Sequence, residues 1–169
     1  MTRVAYLGPA GTFTEEAARR FGIEGAQYVP VDSPAAALAA LDAGEAEYAV
    51  CAIENSIDGA VTTTMDALAA TESARIVGET ELAIAFAVMT RQGHKLDDAL
   101  RLATHPVAHQ QVKRWIGAHA PKAEFIPAPS NAAAAKMVAD GAADVAVAPE
   151  RAAALHGLEV HARGVADAE

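Results

Sequence analysis

The chain has 169 residues, 52% of them apolar and 21% charged, which is the profile of a folded chain and excludes a disordered one. That length suits one compact domain or two small lobes sharing a cleft. Thirteen Lys and Arg against 22 Asp and Glu give a net charge of −9, so neither nucleic acid nor an anionic membrane surface is expected as a partner, because both need basic surface.

The predicted elements alternate between short strand-type runs and alanine-rich helical runs. Residues 4–7 read as a strand that begins almost at the N-terminus, without a signal-peptide pattern, so the cytoplasm is the expected compartment. Gly8-Pro9 stops it. A helix is expected over 14–21 and a strand over 28–31. Ser33 as N-cap and Pro34 as first residue start a helix over 34–43 that stops at Gly44. Residues 47–53 form a buried-type strand. It carries Cys51, the single cysteine, which reads as a small core residue and excludes an internal disulfide framework or a Cys-rich zinc site. A helix over 62–70 follows, then a long strand region over 76–89 with a bend at Gly78. Further on come a strand (100–103), a helix (107–118), a strand (124–126) and a helix (131–139) closed by Asp140-Gly141. A strand (144–148) and a short helix (150–155) complete the pattern. No apolar run reaches the roughly 18 residues needed to span a bilayer.

Strands alternating with helices predict an α/β fold with mainly parallel sheets. The chain also repeats itself at a constant offset of 97 residues. Ser33, Gly44, Glu47 and Ala49-Val50 recur as Ser130, Gly141, Asp144 and Ala146-Val147, and Pro9 recurs as Pro106. Two similar βαβ lobes with a central cleft are therefore expected, with lobe 1 over 1–75, crossover strands over 76–90 and lobe 2 over 91–169. Clefts of this kind hold small ligands.

Four segments offer chemistry. Pro9, Ala10, Gly11, Thr12 and Phe13 lie between a strand and a helix. Glycine permits a tight turn there, Thr12 and Glu15 match a capping box, and the helix start favours an anion. Neither GxGxxG nor GxxxxGK[ST] occurs. Glu54, Asn55 and Ser56 place a carboxylate, an amide and a hydroxyl directly after a core strand, where ligands of open α/β sheets bind. Glu54 is a candidate general acid or base, and Thr62 to Thr64 are candidates to cap the next helix. His105 sits at a strand end as a hydrogen-bond donor to an anion. His109 follows one helical turn later, but a metal site lacks a third ligand. Ser130-Asn131 begins another helix. Helix starts and hydroxyls together suit a small dicarboxylate without many Lys or Arg.

Several segments carry a family resemblance: Ala5-Tyr6-Leu7-Gly8-Pro9-Ala10-Gly11-Thr12-Phe13-Thr14, Ile53-Glu54-Asn55-Ser56-Ile57-Asp58-Gly59-Ala60-Val61, Ala103-Thr104-His105-Pro106 with Gln110, Ser130-Asn131-Ala132-Ala133-Ala134, and Ala146-Val147-Ala148-Pro149. In order and spacing the chain resembles the prephenate dehydratase family over nearly its whole length. The resemblance implies a catalytic domain of two lobes like a type II periplasmic binding protein. It implies conversion of prephenate to phenylpyruvate, water and carbon dioxide in phenylalanine biosynthesis, with no metal or organic cofactor. A homo-oligomer is expected of the full-length protein. Under this reading Gly11, Thr12 and Ser130 hold carboxylates, Asn55 and Ser56 orient the ring hydroxyl, and Pro9, Ala10, Phe13, His105 and Asn131 complete the substrate contacts. Glu54 is either catalytic or supporting. The resemblance stops short of the Thr-Arg-Phe motif that would follow Glu169, and no regulatory ACT segment is expected within these 169 residues. A prephenate decarboxylase of the same fold and a non-catalytic small-anion module are the alternatives.

Overall fold

The structure is a computed structural model describing residues 1–56 and 59–167. It divides into two units, Met1–Leu82 and Ala83–Glu169.

In the first unit, β1 (Arg3–Leu7) pairs in parallel with β2 (Gln27–Val31) and β3 (Tyr48–Val50), giving the order β2-β1-β3. Residues of β1 alternate between faces, as the period of a strand requires. Val4 and Tyr6 pack with Ala18 of α1 (Phe13–Arg20), and Ala5 packs with Ala37 of α2 (Pro34–Asp42). Helices thus cover both faces of this small parallel sheet, and the core strand is buried and free of charge over Val4–Tyr6. Helix α1 places Glu15 and Glu16 in its first turn and Arg19 and Arg20 in its last, which complements the helix dipole. After β3 come the two-residue strands β4 (Glu54–Asn55) and β5 (Gly59–Ala60), an antiparallel pair, and then α3 (Thr62–Ala70).

The second unit holds a five-stranded sheet in the order β10-β6-β9-β7-β8, built from β6 (Phe86–Thr90), β7 (Arg101–Thr104), β8 (Glu124–Pro127), β9 (Val145–Pro149) and β10 (Glu159–Arg163). Its helices are α4 (Pro106–Gln111), α5 (Lys113–His119), α6 (Asn131–Ala139) and α7 (Glu150–His156). Every residue of β6 and β9 is buried. Met89, Ala103, Ala146, Ala148, Ala134 and Val138 belong to one core, where the small alanines bring α6 close to the strands.

The internal repeat is real in three dimensions. Helices α2 and α6 stand 97 residues apart at both ends. Ser33 (φ −158°, ψ 160°) and Ser130 (φ −155°, ψ 163°) cap them with the same bond, to Ala36 N and Ala133 N, each at 3.0 Å. Gly44 and Gly141, at φ +69° and +80°, end them in a left-handed conformation that glycine adopts without penalty. The strand orders β2-β1-β3 and β8-β7-β9 correspond.

The structure corrects the sequence reading in several places. Pro9 and Pro106 each lie two residues after the first parallel strand of their unit, as expected, but they differ at the helix that follows: Pro9 precedes the N-cap Thr12 by three residues, while Pro106 is the first residue of α4. The central strands also shift by one residue, since Val4 pairs with Tyr48 but Leu102 with Val145. The second sheet is mixed, because β6 runs antiparallel to both β9 and β10. Strand β10 has polar residues and a register shift between Val160 and Ala162, so its alternation is faint in sequence. Only Phe86–Thr90 of the expected long strand region is strand; Ile76 and Val77 are 78% and 80% exposed. Strand propensity without a neighbouring ladder does not make a strand.

The helix expected over 107–118 breaks at Val112 (φ −126°, ψ 11°). Asp167 explains the break: its carboxylate accepts from Arg114 N and Trp115 N at 2.8 and 3.1 Å, satisfying the start of α5. Among the described residues no helix is long and apolar enough to cross a membrane.

Candidate functional site

Each unit gathers polar groups at the C-terminal edge of its parallel strands, where an open α/β sheet ends in loops and helix starts. In the first unit β1 leads into Gly8, whose N–H donates to Val31 O at 2.9 Å. A Cβ added at Gly8 would lie 2.7 Å from Pro30 Cβ, so only glycine lets the turn lie against β2. The Gly8–Pro9 peptide is cis. Pro9 is exposed, and Ala10, Thr12 and Phe13 are half-buried.

The donors of this turn are largely used within the chain. Thr12 Oγ1 donates to Leu7 O at 3.2 Å and accepts from Glu15 N at 3.3 Å. Gly11, at φ +89°, turns its N–H onto Glu15 Oε2 at 2.6 Å. Glu15 is 3% exposed, and its other oxygen takes Arg19 Nε and Nη2 at 2.9 and 2.7 Å. The Thr-x-x-Glu spacing was visible in sequence, but the carboxylate reaches one residue beyond the N-cap. The Gly11 amide and the Thr12 hydroxyl, expected to receive substrate carboxylates, are engaged internally.

After β3, Glu54 is exposed and pairs across the ladder with Ala60; Asn55 is half-buried and pairs with Gly59. Ser56 is exposed. Ile57 and Asp58 of the same motif lie outside the described residues. Helix α3 is not capped by its threonines: Val61 occupies the N-cap position without a side-chain bond, and the buried Thr64 hydroxyl donates to Ala52 O at 2.7 Å instead. Burial pushes the Cys51 thiol upward, which favours the inert thiol form.

In the second unit three of the expected residues meet. Asn131 Oδ1 accepts from His105 N at 3.1 Å and lies 3.1 Å from the fully buried Thr104 Oγ1, which also reaches Val147 O at 2.8 Å. The backbone donor fixes which end of the Asn131 amide is oxygen. Ser130 stands beside it, its Oγ capping α6. His105 caps α4, with Nδ1 accepting from Val107 N at 3.3 Å. His109 lies flat on Phe125 with ring centroids 3.9 Å apart; burial, then Lys113, push its pKa down, favouring the neutral ring. Among the described residues no three His, Cys, Asp or Glu side chains are grouped to hold a metal ion. The sequence reading missed the tethering role of Asn131 and the inward carboxylate of Glu15. Both are local bonds whose partners only the folded turn brings near.

Comparison with known proteins adds a family to this geometry. A family model described as prephenate dehydratase matches residues 4–169. A prephenate dehydratase of Corynebacterium glutamicum is 51% identical over 172 residues, covering 98% of this chain and 55% of the relative. The crystal structure of prephenate dehydratase from Arthrobacter aurescens in complex with L-Phe superposes with a TM-score of 0.90 at 36% identity, covering 98% of this chain and 56% of that one. A structure named GqqA, described as a novel type of quorum-quenching acylase, gives a TM-score of 0.84 at 33% identity, covering 98% of this chain and 60% of that one. The chain spans about half the length of the curated relatives it matches. The Gly-Pro-x-Gly-Thr-Phe turn after β1 and the Glu-Asn-Ser segment after β3 stand in the same chain that the family model matches almost end to end, and this chain belongs to the prephenate dehydratase family.

Proposed function

We propose that the protein converts prephenate to phenylpyruvate, water and carbon dioxide, a decarboxylating carbon–oxygen lyase step of phenylalanine biosynthesis, in the cytoplasm and as a homo-oligomer. The observation that carries this reading is the family match over residues 4–169, supported by 51% identity to the Corynebacterium dehydratase. The ring carboxylate leaves as carbon dioxide, its electron pair completes the aromatic ring, and the ring hydroxyl takes up one proton and leaves as water; the aromatic ring formed drives the step. The protein's tasks are orientation and assistance to a poor leaving group.

In the first unit, the amide of Asn55 and the hydroxyl of Ser56 are assigned to the leaving hydroxyl, with Glu54 in a supporting role. The turn Pro9–Phe13 is assigned to shape and contact with substrate, its amide at Gly11 being held by Glu15. In the second unit, Ser130, the NH2 of Asn131 and His105 are assigned to a carboxylate. They offer donors without adding to the formal charge, which agrees with a chain of net charge −9.

The test is product analysis with the protein as its gene encodes it, alongside the 169-residue chain. Phenylpyruvate formation supports the reading. A non-aromatic keto acid would make the protein a decarboxylase. Thermal stabilisation by prephenate without product would make it a binding module.

A further inference from the structure

We propose that Glu15 is a positioning residue for the substrate turn: it sets the Pro9–Phe13 backbone by holding the Gly11 amide, while Arg19 neutralises its charge. The proposal rests on the reading that this turn contacts substrate.

A carboxylate that is 3% exposed is costly unless its oxygens are satisfied. Here the two oxygens divide the work. Oε2 takes the Gly11 N–H at 2.6 Å, and Oε1 takes both Arg19 nitrogens at 2.9 and 2.7 Å. Arg19 is held in turn over the Tyr28 ring, 4.3 Å from its centroid. An ordinary capping box returns to the N-cap amide; this one grips the preceding residue, which φ +89° at Gly11 makes possible. The neighbouring Glu16 has a different arrangement, a long 3.9 Å contact to Arg20 at the surface. The geometry therefore singles out Glu15. Its side chain is directed onto the turn's backbone, so its effect on a substrate is exerted through Gly11 and not by direct contact.

The experiment compares Glu15→Ala and Glu15→Gln with the wild type in prephenate turnover, together with amide hydrogen exchange at Gly11 in the folded wild-type protein. Glu15→Ala is expected to raise KM about tenfold with kcat within about twofold, the pattern of lost uniform binding. Glu15→Gln, whose carbonyl oxygen still accepts from Gly11 N, is expected to stay within about threefold of the wild-type KM. The Gly11 amide is expected to be protected in the wild type. A folded Glu15→Ala protein with wild-type KM, a Gln variant as impaired as the Ala variant, or an unprotected Gly11 amide would each overturn the proposal. If Glu15→Ala does not fold, the Gln variant and the exchange measurement decide. A wild-type protein that leaves prephenate unchanged counts against the substrate reading instead, and the exchange at Gly11 still reports whether Glu15 holds the turn.

Discussion

Asp144 and Arg101 hold the base of the second sheet: the carboxylate accepts from the Arg101 guanidinium at 2.9 and 3.3 Å and from the Arg101 backbone N–H at 2.9 Å. The first unit has the same device in simpler form, Glu47 accepting from Arg3 N at 2.6 Å. In both, an acidic residue just before the third strand of the repeat satisfies an amide at the start of the first. The acidic position of the repeat is therefore a strand-end clamp on the side of the sheet away from the candidate site.

A pH dependence follows. Arg101, together with the Leu100 and Arg101 amides, holds the Asp144 carboxyl below its usual range, against an opposing effect of burial. A lowered folded-state pKa stabilises the fold above the unfolded value of about 3.9, and the contribution is lost as pH falls through the folded value. Asp144→Ala is expected to cost about 1–2 kcal/mol at pH 7, the worth of charge-assisted bonds to backbone amides. The gap from wild type should hold from pH 8 to about 5 and narrow below about 4. Urea unfolding of both proteins across pH checks this; a gap that widens in acid would contradict it.

Asn131 ties the start of α6 to the turn between β7 and α4. Asn131→Ala leaves His105 N without that acceptor and is expected to lower stability by about 1 kcal/mol and kcat/KM by about tenfold. Asn131→Asp keeps the acceptor but replaces the NH2 by a negatively charged oxygen. It should restore stability yet not binding of a carboxylate substrate. Steady-state kinetics with chemical denaturation separates the two effects.

Asn55→Ala is expected to lower kcat by tenfold or more, measured by steady-state kinetics on a variant that thermal unfolding shows to be folded. Unchanged kcat/KM in a folded variant removes Asn55 from the reaction.

Met89 is fully buried in β6. Met89→Ala is expected to cost about 2–5 kcal/mol, from lost transfer energy and the cavity left behind. Gly8→Ala tests a different limit: its added methyl would overlap Pro30 Cβ at 2.7 Å, and a loss of about 1–3 kcal/mol is expected from the strain. Guanidinium unfolding of each variant measures both.

The sequence by itself determined the helices most securely where a cap, an apolar face and a stop agreed. Residues 131–139 are helical over the whole span expected, and Ser33, Ser130, Gly44 and Gly141 play the cap and stop roles read for them, whereas 62–70 form the expected helix without the threonine cap read for it. It also determined the duplication and the family, because both are patterns of residue type along the chain. Tertiary structure decided the rest, because the deciding partner lies far away in sequence. Strand β6 turns antiparallel through its neighbours β9 and β10, and α5 becomes a separate helix through Asp167, 53 residues beyond Arg114. Residues 76–85, rich in strand-forming side chains, stay out of any ladder. At the candidate site the residue types were legible, but the Asn131–His105 bond depends on how β7 and β8 bring two loops together. The Glu15–Gly11 bond, though only four residues long, depends on the left-handed turn at Gly11, and a one-dimensional pattern does not specify where a hydrogen bond points.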